Sequence, residues 1–142
     1  MRRPDDQARA GFTITELMTV VILIGIIAAI AIPTYIKAVE QGYRRTARDL
    51  LQTIYAGEQV YESVNSEYVD PLACPPPDPA WRCIYMDDPH TPNVPVTYSV
   101  AAGGGAFTAT ATRIGGACSG RTLTVNQSDR TPVGDWPENG AC

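Results

Sequence analysis

Residues 17–32 read LMTVVILIGIIAAIAI and carry no charge. Adding residues 12–16 gives a segment of 21 residues ending before Pro33, about 32 Å long as a helix at ~1.5 Å per residue and therefore long enough to span a bilayer. Something must cover this surface: lipid, other chains, or a core. The remaining composition leaves little for the last. At 142 residues, with 44% apolar and 18% charged residues, the chain holds one ordinary domain and is too apolar to be a disordered tail. A mean hydropathy of -0.10 resembles that of a soluble protein only because it averages over this concentration at one end. The formal net charge of -4 argues against a partner bound through phosphates, so nucleic acid is not an expected ligand.

The preceding residues, MRRPDDQARAG, set Arg2, Arg3 and Arg9 against Asp5 and Asp6. That slight positive excess favours a cytoplasmic N-terminus, with the bulk of the chain on the other side. A secretory signal would place an A-x-A-like cleavage site after the apolar run, yet the residues there are Ala31-Ile32-Pro33-Thr34-Tyr35, so the run is expected to be retained. Glu16 puts a carboxylate at the start of the apolar stretch, where a charge is costly unless it finds a partner.

The string Gly11-Phe12-Thr13-Ile14-Thr15-Glu16 and the apolar run behind it resemble the leader junction of type IV pilins and of the pseudopilins of type II secretion. The resemblance implies cleavage between Gly11 and Phe12 by a prepilin peptidase, followed by N-methylation of Phe12. It also places Glu16 at the fifth mature position, and Gly25 and Pro33 where many pilins bracket a stretch that unwinds in the filament. It further implies other copies of the chain as partners in a helical filament, an assembly platform, and an inner-membrane precursor with an extracytoplasmic filament as product. Two alternatives share the junction: a type II secretion pseudopilin, and a monomeric single-pass anchored binding module. Removing a leader of residues 1–11 takes three of eleven basic and two of fifteen acidic residues, leaving -5.

Glu16 admits two physical readings. Its carboxylate can neutralise the Phe12 ammonium of a neighbouring subunit and so fix axial register, or it can sit at headgroup level and cap its own helix. Pro33 lacks an amide donor and clashes with the carbonyl four residues back, which predicts bending or loosening near Ala29. Gly25 without a second small residue at the right spacing is weak evidence for close helix approach.

After Pro33 the pattern becomes periodic. Ile36, Val39, Tyr43, Ala47, Leu50, Ile54, Gly57, Tyr61, Val64 and Tyr68 recur at intervals of three and four, a helical stripe over residues 34–66 that should face a globular body. Arg44, Arg45, Arg48, Asp49, Gln52, Gln59 and Glu62 fall off the stripe and are assigned to water or neighbouring subunits. Together with residues 12–33 this makes one helix of about 54 residues, roughly 80 Å long.

Eight prolines in residues 71–95 exclude a persistent helix or central strand, so residues 67–95 form a Pro-rich loop. Beyond it, residues 96–101, 107–112 and 122–126 alternate as half-buried strands do, with Gly103-Gly104-Gly105 between the first two as a turn. The expected fold is α+β: a long N-terminal helix, membrane-spanning then amphipathic, against a small three- to four-stranded antiparallel sheet within residues 96–142. Four cysteines allow three pairings. Proximity favours Cys74 with Cys83 and Cys118 with Cys142, and the resemblance points to a similar staple of the C-terminal loop. Zinc is not expected, since there is no C-x-x-C and His90 is the lone histidine. His90 in Asp87-Asp88-Pro89-His90 has no nucleophile motif beside it, and the aspartate pair is weighed as a calcium site and set aside as a turn. No catalytic residue, metal or cofactor is expected.

Overall fold

The computed structural model describes residues 11–90 and 92–142; apart from Gly11, the leader assigned to residues 1–11 lies outside them. The chain divides into two units, one ending at Tyr35 and one running from Ile36 to Cys142. Helix α1, Ile14–Asn65, contributes to both. Four strands follow: β1 (Val96–Gly103), β2 (Ala106–Arg113), β3 (Thr122–Asn126) and β4 (Asp129–Val133). They form one antiparallel sheet in the order β1-β2-β3-β4, so the fold is α+β.

In the first unit the helix is apolar on all sides. Thirteen large apolar side chains between Phe12 and Ile32 are 49–87% exposed, and the most apolar 18-residue window, of mean hydropathy 2.6, has none of its surface buried. The helical state continues through Pro33. The hydroxyl of Thr34 donates to the Ile30 carbonyl at 3.0 Å, a back-bond that gives a hydroxyl on an apolar helix a partner within its own turn.

In the second unit the helix turns two-faced. Ala47, Leu51 and Ile54 are buried against the inner side of the sheet, to which β1 contributes Val96, Tyr98 and Val100, β2 Phe107, Ala109 and Ala111, and β3 Leu123 and Val125. The strands obey the period-2 rule, every second side chain entering the core. Tyr55 and Tyr68 tilt against Phe107 at 5.8 and 4.9 Å between centroids. Gly57 admits a close approach: an added Cβ would overlap the carbonyl oxygen of Ile84, in one of two short 3-10 turns, Pro71–Ala73 and Arg82–Ile84, that interrupt the Pro-rich loop.

The stripe differs from its sequence reading in detail. Leu51, absent from it, is fully buried while Leu50 is only partly so, and Val64 is 70% exposed. A helix buries a broad face, so neighbours such as 50 and 51 share it. The fourth strand also exceeds the three alternating segments. Strand β4 contains Pro132 and pairs irregularly, with Thr124 opposite Val133 and Asn126 opposite Asp129. An edge strand with a bulge tolerates a missing amide that a central strand would not. Between β1 and β2 the turn is Gly104-Gly105, with φ of 62° and 79°, the positive values that a two-residue hairpin of matching twist requires.

Candidate functional site

At the start of α1, Thr13 and Glu16 form a capping box. The Glu16 carboxylate accepts the Thr13 amide at 2.9 Å and its hydroxyl at 2.8 Å, while the Thr13 hydroxyl accepts the Glu16 amide at 3.2 Å. Sequence spacing dictates this, since a threonine followed three residues later by glutamate satisfies otherwise orphaned amides. The bond to Thr13 draws the carboxylate back to within one residue of Phe12, whose side chain is 87% exposed. Gly25 lies within α1, and an added Cβ there would meet nothing within 4 Å among the described residues beyond its own stretch of helix.

The second unit holds polar structure that the sequence reading passed over. Glu40 and Arg113 are a buried bidentate pair, Nε to Oε2 at 2.9 Å and Nη2 to Oε1 at 2.8 Å, with side chains 4% and 5% exposed. The guanidinium also donates through Nη1 to the carbonyls of Pro95 and Ile114 and lies 4.6 Å over the Tyr43 ring. A buried pair persists only when its remaining donors are satisfied in this way. A usable signal existed: Glu40 stands four residues after Ile36 and three before Tyr43, and Arg113 shares the parity of Phe107, Ala109 and Ala111.

Arg44 corrects its assignment to the open face. It is 13% exposed and holds the C-terminal loop, Nε donating to the Trp136 carbonyl at 2.8 Å and Nη2 to Glu138 at 3.1 Å. The same loop is tied by a disulfide between Cys118 and Cys142, and the Pro-rich loop by one between Cys74 and Cys83, with Cα separations of 5.2 and 5.7 Å.

Glu58 is fully buried on α1. One oxygen accepts the Val69 amide at 3.1 Å and the other has no partner among the described residues. Desolvation pushes its pKa up from 4.5 to about 7, against the bond from Val69 and with help from the charge of Asp70. Tyr98, its hydroxyl buried without a partner among the described residues, is pushed up to about 12 by burial.

The aspartates at 87 and 88 do not converge. Asp87 pairs with Arg82 at 2.7 Å, and Asp88 accepts both the backbone amide and ring Nδ1 of His90, at 2.9 and 2.6 Å. Those two bonds, the backbone one first, hold the Asp88 pKa below its usual value. The other ring nitrogen, Nε2, accepts the Tyr98 amide at 3.1 Å, so the proton sits on Nδ1 and neither nitrogen is open to a substrate. His90 caps an outward-facing amide of edge strand β1, and the rings of Trp81 and Tyr98 meet it edge-on.

A groove of about 920 Å³ runs between the last turns of α1 and the Pro-rich loop, lined by Tyr61, Val64, Asp78, Arg82 and Tyr85 among others.

Similarity to known proteins covers part of the chain. The family model for the prokaryotic N-terminal methylation motif matches residues 6–32. Over 60 residues the chain is 42% identical to the type IV major pilin protein PilA of Myxococcus xanthus, an alignment that takes in 42% of this chain and 27% of the relative. No solved structure matches. The motif and the identity together support a type IV pilin family.

Proposed function

We propose that the chain is a structural subunit of a type IV pilus-like filament, made as an inner-membrane precursor with a cytoplasmic N-terminus, cut between Gly11 and Phe12, and N-methylated on Phe12. The observation that carries this reading is a methylation motif leading into an apolar helix with no burial inside its own chain. Burying a large apolar side chain is worth roughly 1.5–3 kcal/mol, so thirteen of them left exposed require a bilayer first and neighbouring helices afterwards. Residues 12–33 supply the association energy; residues 34–142 carry the folded exterior.

In this reading Glu16 sets register. A methylated ammonium on Phe12 of one subunit neutralises the Glu16 carboxylate of the next, and the capping box already aims that carboxylate towards the helix start. Gly25 and Pro33 mark the stretch whose helix loosens on assembly, and two disulfides hold the exterior loops. A prepilin peptidase and an assembly platform are the partners in processing and extraction. A type II secretion pseudopilin would share every one of these steps; the similarity to a major pilin favours the pilus.

Intact mass, with and without reductant, of the protein recovered from sheared cell-surface material and from membranes tests the proposal. The expected product begins at methylated Phe12, gains about 4 Da on reduction of two disulfides, and is abundant in the sheared fraction. An uncut chain found only in membranes would overturn it. Glu16→Val should be processed normally yet enter filaments poorly, and Gly11→Leu should leave the precursor mass unchanged.

A further inference from the structure

The groove at the end of α1 has surroundings that packing within the subunit does not account for. Tyr85 stands at its edge 72% exposed, on a left-handed backbone with φ of 62° and ψ of 29°. Glycine adopts that conformation freely and a bulky aromatic does not, so the fold spends conformational energy to display this ring. Val64, on the opposite wall, is 70% exposed. Among the groove's charges, Arg82 is engaged by Asp87, whereas Asp78 forms no ion pair among the described residues. Two tyrosines and an unpaired carboxylate around an open groove are the features that recognise a guanidinium: ring faces for its plane, oxygens for its N–H groups.

The chain carries the matching group. Arg44, Arg82, Arg113 and Arg121 are all paired; Arg45, Arg48 and Arg130 are exposed and form no ion pair among the described residues, and of these Arg45 and Arg48 stand one turn apart on α1. A helical filament repeats a heterologous contact, in which one patch on a subunit meets a different patch on the next. Parallel helices staggered by sixteen residues, about 24 Å at helix rise, bring positions 45 and 48 of one copy level with Tyr61 and Val64 of another, a neighbour further along the filament than the one whose Phe12 meets Glu16. We infer that the groove between the end of α1 and the Pro-rich loop is a socket for the Arg45 and Arg48 edge of a second copy of the chain, Arg48 reaching Asp78 and Tyr85. The inference rests on the filament reading and adds a contact outside the apolar helices.

Charge reversal in the full-length chain tests it, read as filament yield in sheared material with intact mass confirming processing. Arg48→Glu and Asp78→Arg should each cut yield at least fivefold while cut, methylated subunit remains in membranes. Combining them should restore at least half of the yield. Tyr85→Gly should lower yield too, while the thermal midpoint of the detergent-solubilised subunit holds or rises, because glycine relieves the left-handed backbone; a merely structural tyrosine would instead lower the midpoint. Single reversals with full yield, a swap no better than its parents, or full yield from Tyr85→Gly would each overturn the socket. Unsubstituted chain that never enters filaments would overturn the filament reading and the socket together.

Discussion

The two units use one helix in opposite ways. Up to Tyr35 the side chains are apolar all round and exposed, and the sole carboxylate of the described part, Glu16, satisfies its own helix start. From Ile36 onward the same helix buries one face on a sheet, and that face includes two glutamates, Glu40 and Glu58. A surface that is apolar all round gains from being covered by anything apolar, so it suits lipid and sister helices alike. A face that carries buried charge fits only the partner that satisfies it, which ties the second half of the helix to this sheet and these loops.

That contrast breaks most readily at Arg113. Replacing it with Met leaves Glu40 buried without its cation, and thermal or denaturant unfolding of the full chain in detergent should show a loss of about 3–5 kcal/mol. The double change Glu40→Leu with Arg113→Met should recover most of it; a mild effect of the single change would mean that water reaches the pair. Next comes pH. A folded pKa of about 7 for Glu58, against 4.5 unfolded, means that the folded chain keeps a proton the unfolded chain has lost. The stabilising contribution is therefore full below about 4.5 and gone once pH passes about 7, a decline on the order of 3 kcal/mol. Glu58→Gln should flatten that slope in unfolding curves taken from pH 5 to 8; an unchanged slope would assign it to another group.

Gly57→Ala should cost about 2 kcal/mol through overlap with the Ile84 carbonyl, and a midpoint equal to the parent's would show that the Arg82–Ile84 turn can yield. The smallest effect sharpens the contrast from the other side. Ile26→Ala, in the exposed unit, should leave unfolding of the second unit within about 0.5 kcal/mol, with any consequence appearing as weaker membrane retention or filament yield. A large loss of stability would mean that the two halves of the helix are energetically coupled.

Much of the second unit was legible before its structure. Strands β1, β2 and β3 follow from alternation, their first turn from three glycines, and the helix from intervals of three and four ending near Asn65. What escaped shares one cause. Glu40 and Arg113 are 73 residues apart in sequence, and a charge on an otherwise apolar stripe looks like a flaw in the pattern until the opposite charge is seen on the facing strand. Arg44 was placed on the open face because nothing local shows that the tail containing Trp136 folds back to meet it. Strand β4 hid behind Pro132, a residue excluded from strands by a rule that edges relax.

The apolar segment, the change of pattern after Pro33, and the periods of helix and sheet are written in neighbouring residues and in the fixed geometry of the backbone between them, so they can be read without the fold. Which charges are buried together, which glutamate lacks a second partner among the described residues, and which tyrosine is turned outward on a strained backbone follow from the fold instead. Those depend on how distant segments dock, and no local spacing encodes the dielectric surroundings or the partner that docking supplies.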